Sequence, residues 1–405
     1  MSVGQFTSRR DFMKAAGLGA AALTADAPSH AVPRNNPLPH WRGFNLLYLF
    51  VARRREDGPI EIPEDDFRMI RDLGFDWVRI PMDYRHWVDS DWRTTGAVNA
   101  RDVLKIKESA VADVDRIVEL GRKNSIHVNL CFHRGPGYCI ADTHLDAPKV
   151  EPFDLWRDKD GEDAFVFHWD LFARRYKGIG PAELSFNLLN EPPVPRRSRT
   201  TQFEETALEL QNEAFQRPVS AMTREDHRRV MARTVDKIRE SNPDRTVIID
   251  GLDIAASIVE EMVHTGVAQS VHTYLPLEIS HYRASWVDAH SDFPAPQWPA
   301  NRRDGKGQVT RETLEQLYAP WGWLVHQGVG VHAGEAGGYT KTPHDVFLRW
   351  MADTLDILKS YNIGIALWNF RGDFGVLDSR REDVAYEDWH GHKLDRKLLT
   401  LLQYH

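Results

Sequence analysis

Eight short apolar runs, separated by longer amphipathic stretches, constrain this chain more than any other feature. They are Arg42–Tyr48, Asp76–Pro81, Ile126–Phe132, Glu183–Leu189, Arg245–Asp250, Ser270–Tyr274, Val329–Gly334 and Ile363–Trp368. Each has the length of a buried strand. Helical patterns lie between most of them. Pro63–Leu73 opens with a proline and an acidic first turn, and Ala110–Lys123 sets Val111, Val114, Ile117, Val118 and Gly121 at helical spacing. Arg224–Glu240, Thr310–His326 and His344–Lys359 repeat that spacing. Strands buried on both faces and alternating with helices predict a parallel sheet. Eight of them predict an α/β fold, the (β/α)8 TIM barrel, as a single domain with long βα-loop insertions. A doubly wound open sheet is the alternative, but no Gly-x-Gly-x-x-Gly follows an early strand.

The extra length falls after strands, in Pro81–Ser109, Pro192–Arg224 and Leu275–Gln308. In a barrel these are the loops that build an active site. They carry Tyr84, Trp87, Trp92, Tyr282, Trp286 and Trp298, six of the aromatic residues in a chain with 13 tryptophans. Flat apolar rings in such loops suit the stacking of sugar rings, although packing alone also uses tryptophan.

The first 31 residues stand outside the fold. Ser8-Arg9-Arg10-Asp11-Phe12-Met13-Lys14 matches the full twin-arginine export pattern, a weakly apolar stretch follows from Ala15 to Leu23, and Ala25, Ala27 and Ala31 offer cleavage sites. Residues 1–31 are therefore expected to be a signal peptide, 32–39 a linker (Pro33 to Pro39), and 40–405 the folded domain. The expected route is the twin-arginine export machinery of a bacterium, to the periplasm or outside. No later segment supplies the roughly 20 consecutive apolar residues of a membrane span.

Composition excludes some partners. With 51 basic and 59 acidic residues the net charge is −8, so no basic nucleic-acid footprint is present. Cys131 and Cys139 are the two cysteines, too few for a four-cysteine zinc site. They bridge if the loop after the third run folds back and stay reduced otherwise. Among 18 histidines no His-Glu-x-x-His or comparable ligand spacing occurs, so no metal or cofactor is expected and a metal hydrolase is the weaker alternative.

Chemistry concentrates at the ends of the runs. The fourth stops in Asn190-Glu191-Pro192, where Pro192 cannot continue a ladder. The seventh stops in Gly334-Glu335-Ala336-Gly337. Arg79 lies near the end of the second, His133 follows the third, His272 and Tyr274 end the sixth, and Trp368 ends the eighth. In a parallel barrel all of these converge on one mouth. Two glutamates at facing strand ends are what acid-assisted cleavage of a glycosidic bond requires, one protonated and one ionised. An arginine beside a carboxylate would keep it charged, histidines fix hydroxyls or orient a glutamate, and Trp368 offers a floor to a sugar ring.

That set resembles glycoside hydrolase family 5 over roughly residues 40–400. The resemblance implies Glu191 as acid/base and Glu335 as nucleophile, with Arg79, His133, Asn190, His272, Tyr274 and Trp368 supporting them. One departure is Ala336, where the family often places a larger apolar residue after the nucleophile. The stretches from His133 to Tyr138 and from Trp368 to Gly375 are similar to those of cellulase and exoglucanase-like members. The expected activity is retaining hydrolysis of a β-linked glucan, the partner being an oligo- or polysaccharide. The carboxyls should sit ~5–5.5 Å apart, Tyr274 should bond Glu335, and Asn190 should hold the sugar 2-hydroxyl. A mannanase, a xylan-active enzyme or a transglycosylase on the same scaffold, and a non-catalytic carbohydrate-binding barrel, are the alternatives.

Overall fold

Each of the eight runs supplies a strand in the computed structural model, which describes residues 36–52, 60–140, 153–193, 195, 220–287, 295–302, 305 and 307–405. They are β1 (Arg42–Asn45), β2 (Trp77–Asp83), β3 (His127–Gly135), β4 (Leu184–Asn187), β5 (Thr246–Asp250), β6 (Ala268–His272), β7 (Val331–Ala336) and β8 (Gly364–Leu367). All are parallel. Each pairs with the next in chain order and β8 closes onto β1, so this is a (β/α)8 barrel in one domain. The proposed signal peptide, the start of the linker and most of the Pro192–Arg224 insertion lie outside the described residues. Among the described residues no helix is long and apolar enough to cross a membrane.

Among the described residues, seven helices of nine or more residues cover the barrel: α1 (Glu64–Asp72), α2 (Glu108–Lys123), α3 (Lys159–Arg175), α4 (Arg224–Ser241), α5 (Arg311–His326), α6 (His344–Ser360) and α7 (Arg396–Tyr404). The strand–helix alternation is interrupted once, at a connection where no helical pattern is expected. Between β5 and β6 there are only two single turns, Leu252–Ala255 and Glu260–Met262. α2 illustrates how the sequence makes the others. Val111, Val114 and Ile117 are fully buried on one face, each contributing about 1.5–3 kcal/mol by leaving water. Asn124 ends it, its Nδ2 donating to the Leu120 carbonyl at 2.8 Å, and Ser125 then turns left-handed at φ +56°.

The period of two along each strand sorts the barrel into an outer and an inner face. Outward residues such as Val78, Ile80, Val128, Leu130, Phe186, Val247, Ile249 and Val271 join the helices in the main core. Inward residues change character with height. Near the bottom, Trp41, Trp77, Ile248, Ala268 and Ala366 form a small apolar plug, with Trp41 stacked on His127 and Trp77 tilted against His332. Two residues further along the strands the same face carries Arg79, Asp250 and Ser270, all buried. The polar site is thus the upper layer of the barrel interior.

Candidate active site

Arg79 organises the upper layer. Its Nη1 donates to Glu335 Oε1 at 2.7 Å and to Asn45 Oδ1 at 3.0 Å. Its Nε donates to Asn187 Oδ1 at 2.9 Å, and its Nη2 to Asn190 Oδ1 at 2.8 Å. The guanidinium is fully buried, so its fork and these side-chain oxygens fix one another.

Glu335 sits where β7 is irregular. The pairing of β7 with β6 shifts between Ala333 and Glu335, and its pairing with β8 shifts between Ala333 and Ala336. Such a bulge re-aims a side chain. Gly334 permits it, because a Cβ there would come within 2.5 Å of Ser270 Oγ. Both Glu335 oxygens are engaged: Oε1 by Arg79, and Oε2 by the Tyr274 hydroxyl at 3.0 Å.

Glu191 follows β4 with its backbone in the left-handed region at φ +47°. Its N–H donates to Asp250 Oδ2 at 3.0 Å, and its carbonyl accepts from the Tyr138 hydroxyl at 2.6 Å. Its carboxylate Oε1 lies 2.9 Å from His272 Nδ1. That same nitrogen is 3.6 Å from Glu335 Oε2. Ligand atoms of Glu191, His272 and Glu335 all fall within 4.8 Å of one another. The two carboxylates therefore face each other across one mouth, closer than the ~6.5–9.5 Å that an inverting layout needs.

Charge in this cluster is tightly coupled. Burial would lower the His272 imidazole, but the carboxylates of Glu335 and Asp250 push it up to about 10. Burial would raise Asp250, but His272 and Arg79 hold it down at about 2. Burial pushes Glu335 up to about 7; His272 and Arg79 pull against this, and the negative charge of Glu191 and Asp250 adds to it. Arg79 and His272 as cations, set against three carboxylates, leave one negative charge in excess. A single proton on one carboxyl removes it. The hydrogen bonds distinguish the carboxyls: both oxygens of Glu335 receive donors, one from a permanent cation, which favours its ionised form.

The trio of Glu191, His272 and Glu335 is compact enough for a metal ion, but its ligand atoms are already engaged within the protein, Glu335 by Arg79 and Tyr274 and Glu191 by His272.

Six of the eight residues picked out from sequence, Arg79, Asn190, Glu191, His272, Tyr274 and Glu335, share one hydrogen-bonded network. His133 and Trp368 stand together beside it with ring centroids 5.7 Å apart, and Phe50 packs against both. The Trp368 backbone N–H donates to the Ala336 carbonyl at 2.9 Å. Sequence reasoning missed Asp250, Asn45 and Asn187. Asp250 was legible, since it ends an apolar run as Glu335 does. The loop aromatics need correction: Tyr84, Trp87, Trp92, Tyr282 and Trp298 are buried in packing, and only Trp286 is exposed, at 40%. Trp286 lies edge-on to Tyr339, close to His281 and Phe374, which contact one another. Cys131 and Cys139 are both free thiols, and Cys131 Sγ accepts from Arg79 Nη2 at 3.0 Å.

This fold and this paired-carboxylate mouth define a glycoside hydrolase, and comparison with known proteins agrees. The family model for cellulase (glycosyl hydrolase family 5) matches residues 36–373. The chain belongs to glycosyl hydrolase family 5. It is similar to endoglucanase C of Acetivibrio thermocellus, 23% identical over 355 residues, covering 80% of this chain and 89% of that protein. It is also similar to cellodextrinase A of Ruminococcus flavefaciens, 23% identical over 240 residues, with 58% and 57% covered. Among solved structures, a crystal structure of a glycoside hydrolase is 35% identical, with a TM-score of 0.76 over 90% of this chain and 98% of that one. Thermotoga maritima Cel5A in complex with mannotriose, at 19% identity and a TM-score of 0.64 over 90% and 97%, shares the fold.

Proposed function

We propose that this glycoside hydrolase cleaves a β-linked glucan with retention of anomeric configuration, Glu335 acting as nucleophile and Glu191 as acid/base. The observation that carries the reading is the carboxylate pair, oxygens within 4.8 Å of each other and unequally supplied with hydrogen-bond donors. That spacing suits the ~5–5.5 Å of a double displacement. Endoglucanase and cellodextrinase relatives favour the β-glucan.

In the first half-reaction a Glu335 oxygen bonds to the anomeric carbon while the glycosidic bond breaks. The departing oxygen takes the proton of Glu191. The new Glu191 carboxylate then faces the His272 imidazolium at 2.9 Å. In the second half Glu191 takes a proton from water, the hydroxide adds to the anomeric carbon, and Glu335 leaves as carboxylate toward Arg79 and Tyr274. Asn190 Oδ1 is anchored by Arg79, whereas its buried Nδ2 has no protein partner. That amide is a ready donor for the sugar 2-hydroxyl.

Hydrolysis of defined β-linked gluco-, manno- and xylo-oligosaccharides, followed by NMR of the first-formed anomer, tests this. A β-anomer from gluco-oligosaccharides, lost in Glu335→Gln with the fold intact, is expected. An α-anomer, substantial turnover by that variant, or preference for mannan or xylan would reject the mechanism or the substrate respectively.

A further inference from the structure

The connection from β5 to β6 replaces a helix with a device aimed at Glu191. Asp250, fully buried at the end of β5, accepts from Asn187 Nδ2 at Oδ1 (2.9 Å) and from the Glu191 N–H at Oδ2 (3.0 Å). The same Oδ2 lies 3.2 Å from His272 Nε2. The other ring nitrogen of His272 meets Glu191. A carboxylate, an imidazole and a second carboxylate thus stand in a row.

The chain after Asp250 grips the same segment. Gly251 has no room for a side chain, since a Cβ would come within 2.4 Å of the Ser257 carbonyl. Asp253, Ile254 and Ala255 are then all left-handed, at φ 56°, 63° and 58°. For β-branched Ile254 that is an outlier. The turn delivers the Ile254 N–H to the Pro192 carbonyl at 3.1 Å. Glu191 is itself left-handed before a proline, which disfavours it further. Strained backbone of this kind persists only where its surroundings over-determine it, and the end of β5 supplies two of the hydrogen bonds that do so.

We propose that Asp250 is a positioning residue for the Glu191 acid/base, pinning the Glu191 backbone and holding His272 as a cation against the Glu191 carboxyl. The proposal rests on the reading of Glu191 as acid/base. The charged and titratable groups around Asp250 are Arg79 on β2, the Cys131 thiol on β3, Glu191 after β4, His272 on β6, Glu335 on β7 and His227 on α4. Of these, His272 alone bridges Asp250 to Glu191. Removing the Asp250 charge should therefore act through proton delivery to the leaving group.

The test is Asp250→Asn, assayed on β-glucosides of graded leaving group. Turnover should fall about 10- to 100-fold for oligosaccharides, which need protonation, and only a few-fold for dinitrophenyl glycosides, which do not. The alkaline limb of kcat/KM should also move to higher pH, since the carboxylate left by proton delivery loses its facing cation. Equal losses on both substrates with an unmoved profile would overturn the proposal. Because the variant has a chance of failing to fold, the wild-type enzyme provides a second measurement. In 15N-histidine NMR, assigned against His272→Gln, the His272 ring should stay doubly protonated well above pH 6.5; titration at or below 6.5 would overturn the proposal too. Glu191→Ala tested on the same glycosides separates the two ideas. If it lacks leaving-group dependence, the acid/base reading fails. If it has that dependence and Asp250→Asn does not, only the role of Asp250 falls.

Discussion

The Tyr274 hydroxyl makes a single hydrogen bond that bears on reactivity, 3.0 Å to Glu335 Oε2. Both groups are buried, so water does not replace the bond if it is lost. A hydrogen bond to a charged group contributes about 1.5–3 kcal/mol, and this one favours the ionised form that attacks. Tyr274→Phe should fold normally and lose about 10- to 100-fold in kcat/KM. Its acid limb should move to higher pH, because the carboxylate without its donor is protonated more easily. Steady-state kinetics across pH 4–8 will check both. An unchanged acid limb would mean that Tyr274 serves the sugar and not Glu335.

The irregular end of β7 sets where the Glu335 carboxylate lies, and Gly334 is the residue that lets it. A methyl group at 334 would collide with Ser270 Oγ at 2.5 Å, while its next neighbours, His272 Nε2 at 3.6 Å and Arg79 Nε at 3.7 Å, are at ordinary contact distance. Overpacking of this kind costs about 1–3 kcal/mol. Ser270 Oγ has no hydrogen-bond partner in its buried position, so Ser270→Ala should be nearly neutral. Gly334→Ala should thus lower both Tm and kcat, and Gly334→Ala/Ser270→Ala should recover most of each. A double variant no better than Gly334→Ala would locate the strain in the backbone of the bulge.

Across the whole molecule the buried imidazoles divide by their surroundings. Burial lowers His127 and His168 to about 4, and His227 and His332 to about 3. On unfolding these four regain an ordinary value near 6.5, so the unfolded chain binds more protons between pH 6.5 and about 4. Stability is lost as pH falls through that window. Glu335, raised to about 7, acts oppositely between 4.5 and 7, but as one group against four. On the alkaline side His272, raised to about 10, contributes stability that is complete below 6.5 and lost as pH rises through 10. Tm should therefore peak near neutrality and fall on both sides. Calorimetry from pH 4 to 10 will check this; a Tm still rising at pH 9 would contradict the charged state of His272.

Much of this was written in the chain. Strand length, helical spacing and Pro192 located all eight strands and five of the seven longer helices, because burial on both faces leaves a local apolar signature. α3 was missed: Glu162 and His168 are buried in it among charged neighbours, and blur its periodicity. The residues at the run ends were legible because in a parallel barrel a strand end is a fixed place. The sequence by itself thus determined the barrel and the kinds of group at its mouth. What the tertiary structure decided was how those groups bear on one another. The inward layers of different strands meet only when the barrel closes, and that closure joins Asp250 to His272 and Glu191, sets Cys131 against Arg79 and leaves Cys139 unbridged. Contacts across the barrel link residues hundreds of positions apart, 256 in the case of Arg79 and Glu335 and 322 for Asn45 and Leu367, and no local pattern along the chain encodes them.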